Sequence, residues 1–219
     1  MNDRLFTVPQ KRPMRDWMTV SRSAGLGSSN GVTFFSLGRG TSISRESYDS
    51  TAIYVGALGH AVFQVGEPLK ETVLERDGIL VVPGRTLCGV KTADGAIYTE
   101  IIAEKEITMN QILKAGEAVQ LKDLISYEEG SIANIDLVSS DTMEFVLMAF
   151  DEGTGLTPHR APGNAIVTAL EGSAVIGYEG ADYEISAGDS FRFDKNGLHS
   201  VTAKGRFKMS LLLVLTEDE

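Results

Sequence analysis

The chain has 219 residues, of which 42% are hydrophobic and 23% are charged, a composition typical of a globular protein that buries a substantial core. Its net charge is −10 and the excess acid lies in the second half, so we expect neither nucleic acid nor an anionic membrane surface as a partner. Cys88 is the only cysteine, which excludes an intrachain disulfide and a cysteine-rich zinc site. Because the N-terminus also lacks the apolar segment of a secretory signal, we expect a cytoplasmic protein.

The first part of the chain, residues 1–31, is interpreted as an N-terminal arm. Its last ten residues are rich in serine and glycine and show no period of a helix or strand. We therefore do not count it as a domain.

An internal repeat follows the arm. Residues 37–66 align with residues 150–179 at one constant offset, which pairs Gly59 with Gly172 and Ala61-Val62 with Ala174-Val175. A second block, residues 77–90, aligns with residues 188–201 when two residues are removed from the intervening turn. Such self-similarity indicates one structural unit that occurs twice.

Both units consist of short runs of β-branched and aromatic residues separated by glycine and aspartate turn signals. Many short strands in a unit of roughly 100 residues predict a β-sandwich or barrel. The pattern breaks at residues 105–118, so we place the domain boundary there. The predicted organisation is an arm at 1–31, a first β domain at 32–105 and a second at 106–219.

The second unit resembles the cupin superfamily of jelly-roll barrels. The first cupin motif is matched by Gly153, five further residues, His159-Arg160-Ala161 and a closing Gly172, and the second by Gly188-Asp189 and His199. Asp194 stands where the family usually has proline. The resemblance implies an all-β chain of two tandem cupin barrels, the first inheriting the assignment through the repeat.

Cupin barrels often hold one divalent metal through three histidines and a glutamate, and the resemblance assigns these positions. In the second unit they are His159, Ala161, Ala165 and His199, so half of the ligand set is missing. The resemblance therefore implies a pocket lined by these four residues and, as an alternative, a metal site at His159 and His199 for Zn²⁺, Ni²⁺ or Fe²⁺.

In the first unit the corresponding positions are Glu46, Tyr48, Ala52 and Cys88, a set without histidine. We expect Glu46, Tyr48 and Cys88 to line a pocket there. A divalent ion would have to displace protons from the thiol and the phenol, so we expect no catalytic metal in this unit.

Two functions remain open at this stage. The first is a binding module that holds a small polar metabolite, such as a sugar or a carboxylate, in the second barrel. The second is a metal-dependent enzyme of the dioxygenase, isomerase or decarboxylase type that uses His159 and His199 as ligands. The fold cannot decide between them, since cupins support many activities. We expect a homodimer, because cupins commonly pair through sheet edges.

Overall fold

The computed structural model describes residues 4–27, 31–103 and 106–215. Its regular structure is almost entirely β-strand, and it divides into two compact units. The first consists of the described residues within 8–120, and the second of those within 121–219 together with residues 4–7. No helix in the described ranges is long and apolar enough to cross a membrane.

The first unit contains two sheets and one short helix. The larger sheet has the strand order β12-β8-β5-β10-β3-β2, and the smaller has the order β4-β9-β6-β7. The elements of the unit are α1 (Val8–Lys11), β2 (Thr19–Ser23), β3 (Gly31–Leu37), β4 (Ser42–Glu46), β5 (Thr51–Gly59), β6 (Ala61–Val65), β7 (Lys70–Leu74), β8 (Gly78–Val82), β9 (Cys88–Lys91), β10 (Ala96–Ala103), β11 (Thr108–Met109) and β12 (Val119–Gln120).

The second unit repeats this plan. Its larger sheet contains the order β1-β19-β16-β21-β14-β13, and its smaller sheet has the order β15-β20-β17-β18. A 3₁₀ turn at Leu121–Asp123 opens the unit. Its strands are β1 (Leu5–Phe6), β13 (Ile132–Ser140), β14 (Met143–Phe150), β15 (Gly155–Arg160), β16 (Asn164–Glu171), β17 (Ser173–Tyr178), β18 (Ala181–Ser186), β19 (Ser190–Phe193), β20 (Leu198–Ala203) and β21 (Phe207–Val214).

The core of each unit lies between its two sheets and is supplied by alternate strand residues. In β17, Ala174, Ile176 and Tyr178 are buried while the residues between them are partly exposed. β20 alternates in the same way, with His199 and Val201 on its buried face. Because neighbours in a strand point to opposite faces, this alternation fixes which side chains the barrel encloses.

The repeat has a structural counterpart in the turns at Gly59 and Gly172. Both residues have positive φ, 70° and 73°, and a Cβ atom on either would lie 2.1 Å from a backbone oxygen, that of Gly95 and Arg206 respectively. Only glycine accommodates both conditions. The two glycines that the sequence pairs therefore occupy equivalent turns.

The structure draws the boundaries differently from the prediction of an arm at 1–31 and a junction at 105/106. Leu5 pairs with Phe191 in the second unit, whereas β2 pairs with β3 and extends a sheet of the first. Val119 pairs with Ile79, so residues up to 120 belong to the first unit. The observed boundaries differ from the predicted ones because they depend on the backbone pairing of short strands. The composition of the sequence does not reveal that pairing. Residues 1–3 and 28–30 of the predicted arm and residues 104–105 at the predicted junction lie outside the described residues.

Candidate functional site

His159 and His199 face each other in the smaller sheet of the second barrel. They are direct cross-strand partners between β15 and β20, and their ring centroids are 4.2 Å apart with an interplanar angle of 54°. Directly paired residues share one face of a sheet, and this is the face on which Val201 is buried. His199 is buried and His159 is exposed. The pair therefore lies at the rim of the barrel, with one ring inside and one accessible to solvent.

The backbone fixes the proton on each ring. His159 Nδ1 lies 2.9 Å from the carbonyl oxygen of Thr157, and His199 Nδ1 lies 2.9 Å from that of Gly197. A carbonyl oxygen only accepts hydrogen bonds, so Nδ1 must be the protonated nitrogen of each ring. In the neutral imidazoles Nε2 is then the acceptor, and the site presents two acceptor nitrogens from adjacent strands.

Aromatic rings surround the inner member of the pair. The ring of Phe193 is 4.3 Å from that of His199, and Phe193 in turn packs 5.1 Å from Phe191 and 5.7 Å from Tyr178. This apolar enclosure lowers the pKa of His199, and the nearby His159 lowers it further, while the bond to Gly197 opposes the shift. His199 is therefore a neutral imidazole at physiological pH.

The other two predicted positions supply no polar atom to this rim. Ala165 is fully buried in the core, and Ala161 is partly buried against it. Among the described residues, no group of three or more His, Cys, Asp or Glu side chains could hold a metal ion. Catalytic zinc sites usually have three protein ligands, and this pair supplies two. The residues present do not fit the metal centre that the resemblance implies.

A depression of about 270 Å³ borders the same sheet, and Tyr178 and His199 are among the residues that line it. Asp182 and Ser200 line it on either side of Gly177, with which both are paired, and Gly177 and Ser200 alternate along their strands with Tyr178 and His199. They consequently lie on the outer face of the sheet. The depression therefore adjoins the rim at His199.

The first barrel contains a cavity of about 60 Å³. Two of the predicted residues line it, Tyr48 and Cys88, whereas Glu46 is exposed and does not. Glu46 and Cys88 are cross-strand partners, as His159 and His199 are in the second barrel. Ala52 is buried in the core below. The apolar surroundings raise the pKa of Cys88 to about 11, so its thiol is protonated at neutral pH.

Three further residues of this cavity were not identified from the sequence: Tyr54, Tyr98 and Glu100. Glu100 and Tyr54 are direct cross-strand partners between β10 and β5, and the Tyr54 hydroxyl is within hydrogen-bonding reach of the Glu100 carboxyl. Burial raises the pKa of Glu100, and the hydrogen bond from Tyr54 opposes that shift. Glu100 shares a face of β10 with Ala96 and Tyr98, but both faces of this strand are largely buried, so no alternation of polar and apolar residues marks it in the sequence.

The sequence of the second barrel matches a known domain family. Residues 146–215 match the model of the cupin domain family. No curated protein sequence matches the chain.

Solved structures extend the cupin assignment to the fold of the whole chain. A cupin 2 conserved barrel domain protein from Leptotrichia buccalis superposes with a TM-score of 0.86 at 22% identity, covering 98% of this chain and 97% of that one. Salicylate 1,2-dioxygenase from Pseudoaminobacter salicylatoxidans, solved as its adduct with gentisate, superposes with a TM-score of 0.69 at 12% identity, covering 96% and 80%. The predicted all-β fold of the cupin-barrel type is confirmed, and the family match to residues 146–215 supports the predicted resemblance to the cupin superfamily.

Proposed function

We propose that this cupin protein binds a small hydroxylated metabolite at the rim of its second barrel, through His159 and His199. The observation that carries the proposal is the pair of Nε2 atoms presented by facing rings, each oriented by a backbone carbonyl. Two acceptors on adjacent strands match two donor groups on one ligand, as neighbouring hydroxyls of a sugar or a hydroxy acid provide.

The burial of His199 supports hydrogen bonding over ion pairing as the mode of recognition. A neutral imidazole accepts a hydrogen bond from a hydroxyl, whereas attraction of a carboxylate would require the protonated ring. Since the pKa of His199 is lowered by its enclosure, the neutral ring prevails at pH 7. Aromatic side chains beside it provide the apolar wall on which the carbon skeleton of such a ligand packs.

The three histidines of the chain make this proposal directly measurable. In a proton NMR titration with a panel of sugars and hydroxy acids, a ligand should shift the ring resonances of His159 and His199. His60, exposed in the first unit, is the internal control. The His159→Ala variant should weaken binding by roughly tenfold, since one hydrogen bond is lost. Shifts that include His60 equally, or no shift with any member of the panel, contradict the proposal.

The alternative is a metal-dependent enzyme, and the same two Nε2 atoms favour it because imidazole nitrogens are common metal ligands. It requires the remaining ligands to come from substrate or water, as this rim has none. Metal analysis of untagged protein, purified without chelator, separates the two functions. We expect well below one equivalent of metal. Stoichiometric metal that is lost in the double variant His159→Ala, His199→Ala would replace our proposal with the enzyme.

A further inference from the structure

The cavity of the first barrel has walls made largely of aromatic rings. Tyr98 packs 5.4 Å from Phe35, 5.5 Å from Phe63 and 5.8 Å from Tyr54, and Tyr54 packs 4.5 Å from Phe63, as measured between ring centroids. All four rings line the cavity. The face of an aromatic ring carries partial negative charge, so a cage of rings favours a cation over an anion.

One carboxyl group, that of Glu100, shares this cavity with the rings. The groups that face it from the neighbouring elements are the hydroxyls of Tyr54, Tyr98 and Tyr48 and the thiol of Cys88. All four are neutral in their protonated forms. Arg45 approaches Cys88, and its guanidinium is hydrogen-bonded to the Gly66 carbonyl at 2.5 Å. Glu100 therefore faces hydroxyls and a thiol inside the barrel.

The second barrel shows that the fold itself does not require this carboxyl. Leu211 pairs with Val167 in the register that Glu100 has with Tyr54, and Met209 stands where Tyr98 does. The corresponding side chains there are apolar and contribute to the core. A partly buried acid that is costly for folding, and that has an aliphatic counterpart in the same molecule, indicates a use for its charge.

We propose that the first barrel binds a small alkylammonium cation, with Glu100 as its counter-ion and the rings of Phe35, Tyr54, Phe63 and Tyr98 as its cage. The ammonium group donates hydrogen bonds to the Glu100 carboxylate and to a tyrosine oxygen, and its alkyl carbons contact the ring faces. A cavity of about 60 Å³ limits the ligand to a few heavy atoms. This site is separate from the histidine rim, and either one can fail without the other.

The test titrates the full-length protein with ethylammonium and with acetate as the anion of similar size. Phosphate buffer is required, because many common buffers are themselves amines. Changes in the amide NMR shifts of Cys88 and Tyr98 report binding in the cavity. The amide shift of His199, in the other barrel, is the control. Ligands of so few atoms bind no tighter than roughly millimolar, so concentrations up to about 100 mM are appropriate. We expect saturable shifts at the cavity with ethylammonium and none with acetate.

Glu100→Gln keeps the shape of the side chain and removes its charge, and we expect at least a tenfold loss of ethylammonium affinity. Glu46→Gln is the matched control, since Glu46 is on the same barrel but exposed and outside the cavity lining, and should change affinity less than twofold. Should Glu100→Gln not fold, Tyr54→Phe retains the ring, removes the hydroxyl and should weaken binding severalfold.

The pH dependence of ethylammonium affinity in the unaltered protein is an independent test of the proposal. A cation requires the ionised carboxylate, so affinity should rise with pH as Glu100 loses its proton. Affinity for ethylammonium that stays constant or falls with rising pH would mean that the ionised Glu100 is not the counter-ion, and the proposal would be wrong. It would equally be overturned by acetate binding as well as ethylammonium, by equal affinity in Glu100→Gln, or by no ethylammonium binding at all.

Discussion

The two barrels share one backbone plan but place their polar groups at different depths. The second barrel has two imidazoles at its rim and an apolar interior, whereas the first has an exposed carboxylate and a thiol at the rim positions and a carboxyl group among tyrosines inside. The turns at Gly59 and Gly172 and two β-bulges occur at matching points in both barrels. The two units thus share the residues that shape the chain, whereas the residues that face the interior differ in polarity.

The shared backbone plan can be tested at the paired glycines, Gly59 and Gly172, where substitution should cause the largest loss of stability. Gly59→Ala and Gly172→Ala should each destabilise the protein by about 3 kcal/mol, because the new methyl group adds a clash with a backbone oxygen to the cost of positive φ. Gly153→Ala is the matched control, with φ of 76° and no atom within 4 Å, and should cost only about 1 kcal/mol. Denaturant unfolding measures all three. A large difference between Gly59→Ala and Gly172→Ala would break the equivalence of the turns.

The thiol of Cys88 should be the clearest chemical difference between the rims. With its pKa raised to about 11, it should react with iodoacetamide at pH 7.5 about 100-fold more slowly than an ordinary free thiol, since only the thiolate attacks. Cys88 in the urea-unfolded chain is the natural control, as it is the only cysteine. The rate in the folded protein should still be rising above pH 9. A plateau below that pH would contradict the assignment of an apolar environment.

The fold was predictable because its signals are local. Glycines at equivalent positions of the two repeated units marked the turns, and alternating apolar residues marked the strands. The residues at the rim could also be assigned from the sequence, since the repeat and the family motif both place them by counting from these glycines. The domain boundaries were not, because strands of two residues such as Leu5–Phe6 and Val119–Gln120 are recognisable only by their pairing partners.

The interior of the first barrel was missed for a different reason. Counting back in steps of two from Gly59, whose partner is the inward-facing Ala96, places Val55 inside rather than Tyr54. The register shift between Ile97 and Tyr98 inserts one extra residue into β5 and reverses this assignment. Such a bulge leaves no mark in a single sequence. Counting forward from Ala52, an inward position of the cupin motif, does place Tyr54 inside, so the two counts disagree and the register shift decides between them.

Exchanging Glu100 and Leu211, which occupy equivalent positions, tests whether only the first barrel tolerates a carboxyl group in its interior. Leu211→Glu should destabilise the protein by about 2 kcal/mol, since the carboxylate would lie beside Val167 and Met209 without a hydroxyl partner. The reverse change, Glu100→Leu, should stabilise it by roughly 1 kcal/mol at pH 7.

The gain from Glu100→Leu should itself depend on pH. Because the folded-state pKa of Glu100 is raised, the acid does not oppose folding below the unfolded pKa and does so increasingly as pH rises through the folded pKa. The stabilisation should therefore be smaller at pH 4 than at pH 8. Thermal unfolding at both pH values measures it, and an equal gain at both would show that the carboxyl is not desolvated.

The smallest expected effect is the pH dependence of stability due to His199. Its folded-state pKa is lowered, chiefly by burial, so above the unfolded value of about 6.5 the ring is neutral in both states and imposes no penalty. As pH falls below that value, the unfolded chain takes up the proton first, and stability decreases until the folded-state pKa is passed. The melting temperature of the protein should consequently fall more between pH 7.5 and pH 5 than that of His199→Gln, by no more than a few degrees. His60→Gln removes an exposed histidine and controls for the loss of the side chain itself. If both variants change the pH profile equally, the enclosure of His199 by Phe193 and Tyr178 is not what sets its proton affinity, and the neutral acceptor on which the binding proposal depends would lose its physical basis.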